Sequence, residues 1–152
     1  MIDSVSCAGP DWPAADIGRF ECIGVAAEAE SASRIREEFA EWLQRFFDLD
    51  PIRSSDLVLA INEALANAAE FAYLSADSDR PKTMDLIARY DAGDARLTVT
   101  ICDHGVWRMP AAASARARGR GIPLMRALSD RVTIETSTAG TRVCLQWDGV
   151  GP

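Results

Sequence analysis

The chain has 152 residues, 48% of them hydrophobic and 26% charged, with 16 Lys and Arg against 23 Asp and Glu for a formal net charge of -7. That length suits one domain with a real core, the composition is ordinary for a soluble globular protein, and the acidic balance excludes a general nucleic-acid or anionic-membrane binder, which needs clustered Lys and Arg. Apolar runs such as LVLAI at 57–61 are far too short to span a membrane, and Asp3, Asp11 and Asp16 interrupt any N-terminal signal pattern.

Residues 1–17 carry two prolines and little periodicity, which reads as a flexible arm or linker. Arg19–Ala26 alternates weakly as a strand. Ser31–Phe47 places Ile35, Phe39, Trp42, Leu43 and Phe46 at helical spacing, with Ser31 or Ser33 as N-cap. The segment DLDP at 48–51 ends that helix, because a residue before proline is pushed out of the helical region. A second helix runs from Ser54 or Ser55 to Tyr73, its buried stripe being Leu57, Ile61, Leu65, Ala68 and Ala72.

Asp77–Pro81 reads as a polar loop, followed by strands Thr83–Tyr90 and Arg96–Cys102 around the turn DAGD. Residues 106–118 have no clean period. Gly121–Leu128 is a short helix, and Arg131–Thr136 and Thr141–Trp147 form a last hairpin around STAG; 149–152 is a tail. This order predicts an α+β fold: a two-layer α/β sandwich whose mixed, mostly antiparallel sheet carries its helices on one face, over residues 18–148. The cysteines Cys7, Cys22, Cys102 and Cys144 are scattered, and three lie in strand-like apolar contexts, so they read as small buried hydrophobes in a reducing compartment. With a single histidine, His104, a zinc site has no ligand set.

Three clusters carry chemistry. Glu63 and Asn67 sit at i and i+4 on the second helix and point the same way. A solvated helix face explains such a pair equally well, but Asn is a poor helix-interior residue and here stands among alanines in EALANAAEFAY. An amide oxygen is a hard ligand suited to Mg²⁺, and a neighbouring carboxylate accepts a proton from a hydroxyl. Asp103 closes the strand RLTVTIC and Gly105 follows it. Both are favoured in turns, yet the same carboxylate is placed to accept a hydrogen bond from an exocyclic amine, with Gly105 letting the backbone approach a ring. Gly119-Arg120-Gly121 opens a helix, where free N–H groups suit a phosphate; a hinge is the alternative. Thr141 follows Gly140 in a turn that also stands on its own. His104 reads as a loop residue.

In this order and on these elements the clusters resemble the GHKL (Bergerat-fold) ATP-binding superfamily, and most closely its small anti-sigma-factor serine/threonine kinases. LVLAINEALANAAEFAY is similar to the N box, ICDHG to the adenine-binding box, GRGIPLMRALSDRV to the glycine box, and GTRVCLQW to the closing strand. The resemblance implies Glu63 as general base, Asn67 as Mg²⁺ ligand, Asp103 and Gly105 at the adenine, Gly119, Arg120, Gly121 and Thr141 around the nucleotide, and 106–118 as ATP lid. It further implies ATP and Mg²⁺ as cofactors, a sigma factor and an anti-anti-sigma (STAS-domain) antagonist as partners, a homodimer formed through the first strand and helix, and a cytoplasmic regulator of transcription in stress response. Neither membrane nor direct nucleic-acid binding is expected. Val106-Trp107 and Phe71 depart from the usual motif residues. The alternative function is a non-catalytic, nucleotide-dependent module that sequesters a partner without phosphorylating it.

Overall fold

The computed structural model describes residues 14–70, 82–104, 121–137 and 140–152. In chain order the elements are β1 (Ala14–Asp16), β2 (Arg19–Ala26), α1 (Ala29–Phe46), α2 (Pro51–Glu70), β3 (Thr83–Asp91), β4 (Arg96–Asp103), α3 (Gly121–Leu128), β5 (Arg131–Ser137) and β6 (Gly140–Asp148).

Period-two alternation sorts the strand residues to two faces. Phe20, Cys22 and Val25 of β2, Met84, Leu86 and Ala88 of β3, Leu97, Val99 and Ile101 of β4, and Val143, Leu145 and Trp147 of β6 are all buried. They pack under Ile35, Phe39, Trp42 and Leu43 of α1, Leu57, Ile61 and Leu65 of α2, and Met125 of α3. Phe20, Phe39, Trp42, Phe47 and Tyr90 form a continuous aromatic chain at one end, with successive ring centroids 4.8–5.8 Å apart. Such edge-to-face and tilted pairs add to the area they bury. This is the two-layer α+β arrangement expected from the order of elements.

The sheet order is β1-β2-β3-β4-β6-β5. A mixed sheet was the expectation, but every described pair is antiparallel. The reason is the last hairpin: β6 doubles back on β5 and inserts between it and β4, so it runs opposite to both. Helix α2 packs against α1, α3 and β4, which makes it the central rib of the helical layer.

Local chemistry explains where the elements begin and end. Pro51 opens α2 at a position where its missing N–H costs nothing, three residues before the start read from Ser54. Helix α1 starts at Ala29 with Glu28 as N-cap in extended conformation and no side-chain cap bond. Ser31 and Ser33 therefore lie inside the helix, and the Ser33 hydroxyl is engaged by Arg36 instead. At β2 a bulge between Cys22 and Val25 is made by Gly24, at φ 69°, whose N–H donates to Asp85 Oδ1 at 2.7 Å.

The chain ends are more engaged than their composition implies. Residues 14–16, within the segment read as an arm, pair with β2, and Trp42 Nε1 donates to the Asp16 carbonyl at 2.6 Å. Val150, in the segment read as a tail, is fully buried, bonds through its N–H to the Ala95 carbonyl, and accepts from Tyr90 Oη at 2.6 Å. Trp42 and Phe47 are both core residues. Of the cysteines, Cys22 is buried as expected, but Cys102 and Cys144 are only half-buried, because both alternate onto the sheet face that carries no helices. No described helix is long and apolar enough to cross a membrane.

Candidate functional site

Most buried side chains here are apolar. Among the described residues the buried polar or charged side chains are Asn67, Asp103 and Thr141, at 6%, 5% and 3% exposure. All three had been singled out from the sequence. Burying such groups is costly unless they are partnered, which sets these three apart from the apolar core.

Helix α2 presents Asn67 on its inward-facing side, and Glu63, one turn earlier, is half-buried. Asp103 is the last residue of β4 and Thr141 the second of β6, and the two are direct cross-strand partners. Both alternate onto the helical side of the sheet, continuing the rows that contain Ile101 and Val143. The two strand ends and α2, which packs on β4, therefore supply one set of polar groups.

Among the described residues Thr141 Oγ1 is buried without a hydrogen-bond partner, an acceptor and donor that a ligand contact would satisfy. Gly140, at φ 145°, is the reason the strand ends lie so close. A Cβ there would overlap the Asp103 carbonyl, and only glycine fits.

Of the expected site residues, then, Asn67, Asp103 and Thr141 are buried and polar, Glu63 stands beside Asn67, and Gly121 begins α3. Trp147 Nε1 donates to the Leu128 carbonyl at 2.8 Å, fixing the far end of α3 to β6. Gly105, Gly119 and Arg120, like the expected lid at 106–118, lie outside the described residues.

Other contacts were not legible as site features. Arg36 of α1 donates from Nη1 to Asn62 Oδ1 at 3.1 Å, beside Glu63. His104 Nε2 lies 3.4 Å from Asp85 Oδ2. A cleft of about 540 Å³ opens beside the ends of β4 and β6 and is lined by Asp85, Cys102, His104 and Arg142 as well as by Asp103 and Thr141. It is centred on the helix-free face, away from Glu63 and Asn67, so its size reflects that bare face rather than the polar set. There, burial pushes the Cys102 thiol above its ordinary range, an effect partly offset by a hydrogen bond from Arg142.

Helix α2, with an acid and an amide one turn apart, packs on a strand that ends in a buried carboxylate, and the layering defines a class: a two-layer α+β domain with an antiparallel sheet. The sequence matches the histidine kinase-like ATPase domain over residues 25–147. The chain belongs to that family, and ATP binding is what membership implies. The fold is also similar to that in the crystal structure of the RsbU and RsbW domains of Rv1364c from Mycobacterium tuberculosis, with a TM-score of 0.67 and 24% identity. That match covers 88% of this chain and 33% of the other, so the chain spans about a third of the length of the crystallised chain it matches.

Proposed function

We propose that this chain is an ATP-dependent serine/threonine protein kinase that also sequesters a sigma factor, and that its phosphoryl acceptor is a STAS-type antagonist of that complex. The observation that carries the reading is the identity of the buried polar set. Asn67, Asp103 and Thr141 are the residues the resemblance to anti-sigma kinases picks out, and the orphaned Thr141 hydroxyl suits a nucleotide contact.

Each residue has a chemical task in this account. Asp103 accepts a hydrogen bond from the adenine amine, which selects adenine over guanine. Thr141 donates a hydrogen bond from its hydroxyl to the nucleotide. Asn67 offers an amide oxygen to Mg²⁺, a hard ligand for a hard cation. When bound, Mg-ATP supplies the phosphoryl group and the charge neutralisation around it. Glu63, half-buried on the same helix, accepts the proton of the acceptor hydroxyl. The sigma factor and the antagonist bind exclusively of one another, so phosphorylation switches partners and transcription follows.

Phosphotransfer from labelled ATP to the STAS-domain proteins of the same genome tests this. Wild type should phosphorylate one of them on serine or threonine. Glu63→Gln keeps size and hydrogen bonding but loses basicity, and should be slower by about 10²–10⁴-fold with ATP binding retained. Equal rates would remove Glu63 as the base. Partner binding without transfer by either protein would favour the non-catalytic sequestering module.

A further inference from the structure

The sheet has two edges, β1 and β5, and they are built differently. An open strand edge is a row of unpaired N–H and C=O groups, a template for another chain that proteins blunt by shortness, Pro, Lys or a bulge. β1 is blunted by its length of three residues. β5 is not. It runs seven residues, RVTIETS, with neither Pro nor Lys, and extends roughly 24 Å. Its register against β6 is unbroken from Arg131 to Ser137, so no bulge turns it away. Among the described residues no strand lies beyond it.

The run Arg131-Val132-Thr133-Ile134-Glu135 is complementary to its own reverse. With a second copy laid antiparallel about Thr133, Arg131 falls opposite Glu135 of that copy and Val132 opposite its Ile134. The pleat sorts these pairs to two faces. Val132 and Ile134 share a face with Leu145 and Val143 and are half-buried against the core, so the apolar pairs fall on the helical side. Arg131, Thr133 and Glu135 are exposed on the helix-free side. There the Glu135 carboxylate, 66% exposed, lies 3.8 Å from Arg142 of its own chain and has acceptor capacity left for a second guanidinium. Sliding the copy by two residues sets Arg131 against Thr133 or Ser137 and loses the match. A parallel, in-register copy sets Arg131 against Arg131 and Glu135 against Glu135, and like charges directly opposite are destabilising.

We infer that β5 pairs with β5 of a second copy of this chain, antiparallel about Thr133, joining two six-stranded sheets into one. Main-chain hydrogen bonds along the seam supply attraction. The Arg131–Glu135 and Val132–Ile134 pairs, each made twice by the two-fold symmetry, supply register. A second copy is the fitting occupant because that symmetry matches both charges and both apolar side chains of the same short run. The seam lies at the opposite edge of the sheet from the first strand and helix, where the family resemblance implies pairing.

The test is the mass of the full chain in solution, by sedimentation velocity over a concentration series, with Arg131→Glu and Glu135→Arg as variants. Wild type should associate to a dimer as concentration rises. Each variant alone opposes like charges at both symmetric contacts, and its dimer dissociation constant should rise about tenfold or more. Mixed in equal amounts, the two variants again place opposite charges at both contacts, and a dimer of one of each should form with near wild-type affinity. Both positions are exposed, so Tm should hold, and a misfolded variant could not give this rescue. Wild type that stays monomeric throughout the series would overturn the seam. Variants that dimerise as tightly as wild type would overturn it in favour of another surface, such as β1 and α1. Variants that are weakened alone and fail to associate together would overturn the antiparallel register about Thr133, and the seam with it.

Discussion

Gly140 on β6 lies against the main-chain carbonyl of Asp103 on β4, at a φ of 145° and with no room for a Cβ. The contact sets how closely the two strand ends approach, and with them the Asp103 carboxylate and the Thr141 hydroxyl. Gly140→Ala must therefore push the strands apart or distort the turn, costing more than about 2 kcal/mol. Gly149 is the control: it is also left-handed, at φ 72°, but a Cβ there meets nothing within 4 Å. Gly149→Ala should cost only about 1–2 kcal/mol for its backbone conformation. Thermal unfolding of both, with ATP affinity alongside, should show affinity lost in Gly140→Ala alone.

Thr141→Val separates stability from function. The hydroxyl is buried and unpartnered, an arrangement that costs roughly 1–3 kcal/mol. Replacing it by a methyl of similar shape should raise the Tm of the nucleotide-free protein. ATP affinity should fall at the same time if the hydroxyl makes the proposed nucleotide contact. Differential scanning calorimetry and a titration on the same sample check both signs.

The sequence patterns that survive in the structure are those with a periodic cause. The alternation in β3, β4 and β6 and the 3.6-residue stripe of α2 were readable because each element buries one continuous face. The signal at Asn67 was readable because asparagine is a poor choice inside a helix, whereas Gly140 read only as a turn glycine and its close approach to the Asp103 carbonyl has no sequence signal. What escaped has no local signal. The three residues of β1 are held by pairing with β2 and by Trp42, twenty-six positions from Asp16, and Val150 is buried by Tyr90 and Ala95 far along the chain. The Arg36–Asn62 bond joins two helices whose packing no single-helix pattern encodes. Cys102 and Cys144 looked like core residues because their neighbours alternate into the core; being in phase with the opposite face, they do not.

Trp42→Phe tests the anchoring of β1. The ring stays in the aromatic chain while the indole N–H to the Asp16 carbonyl is lost, a loss of about 1 kcal/mol. Because β1 is an edge strand of three residues, the effect should concentrate there. Hydrogen exchange should accelerate at 14–16 while the core strands keep their protection.

One pH dependence follows from the far end of the same two strands. Arg96 and Asp148 are cross-strand partners with Nε donating to Oδ1 at 2.8 Å, and the guanidinium holds the Asp148 carboxyl below its ordinary 3.8. A carboxylate with a depressed folded pKa contributes stability above its unfolded value and loses it as pH falls through the folded one. The Tm difference between wild type and Arg96→Ala should therefore be present at neutral pH and shrink below about pH 4. Both groups are exposed, so it should also shrink at high salt.

The nucleotide site itself is most directly examined by calorimetric titration of Mg-ATP into wild type and Asn67→Ala, each repeated with EDTA, with Asp103→Asn titrated against ATP and GTP. Wild type should bind ATP more tightly with Mg²⁺ than without, and Asn67→Ala should lose that difference while remaining folded by circular dichroism. Asp103→Asn should lose its preference for adenine over guanine. Undiminished Mg-ATP affinity in Asn67→Ala, or an unchanged base preference in Asp103→Asn, would contradict the assignment of these buried polar residues to the nucleotide.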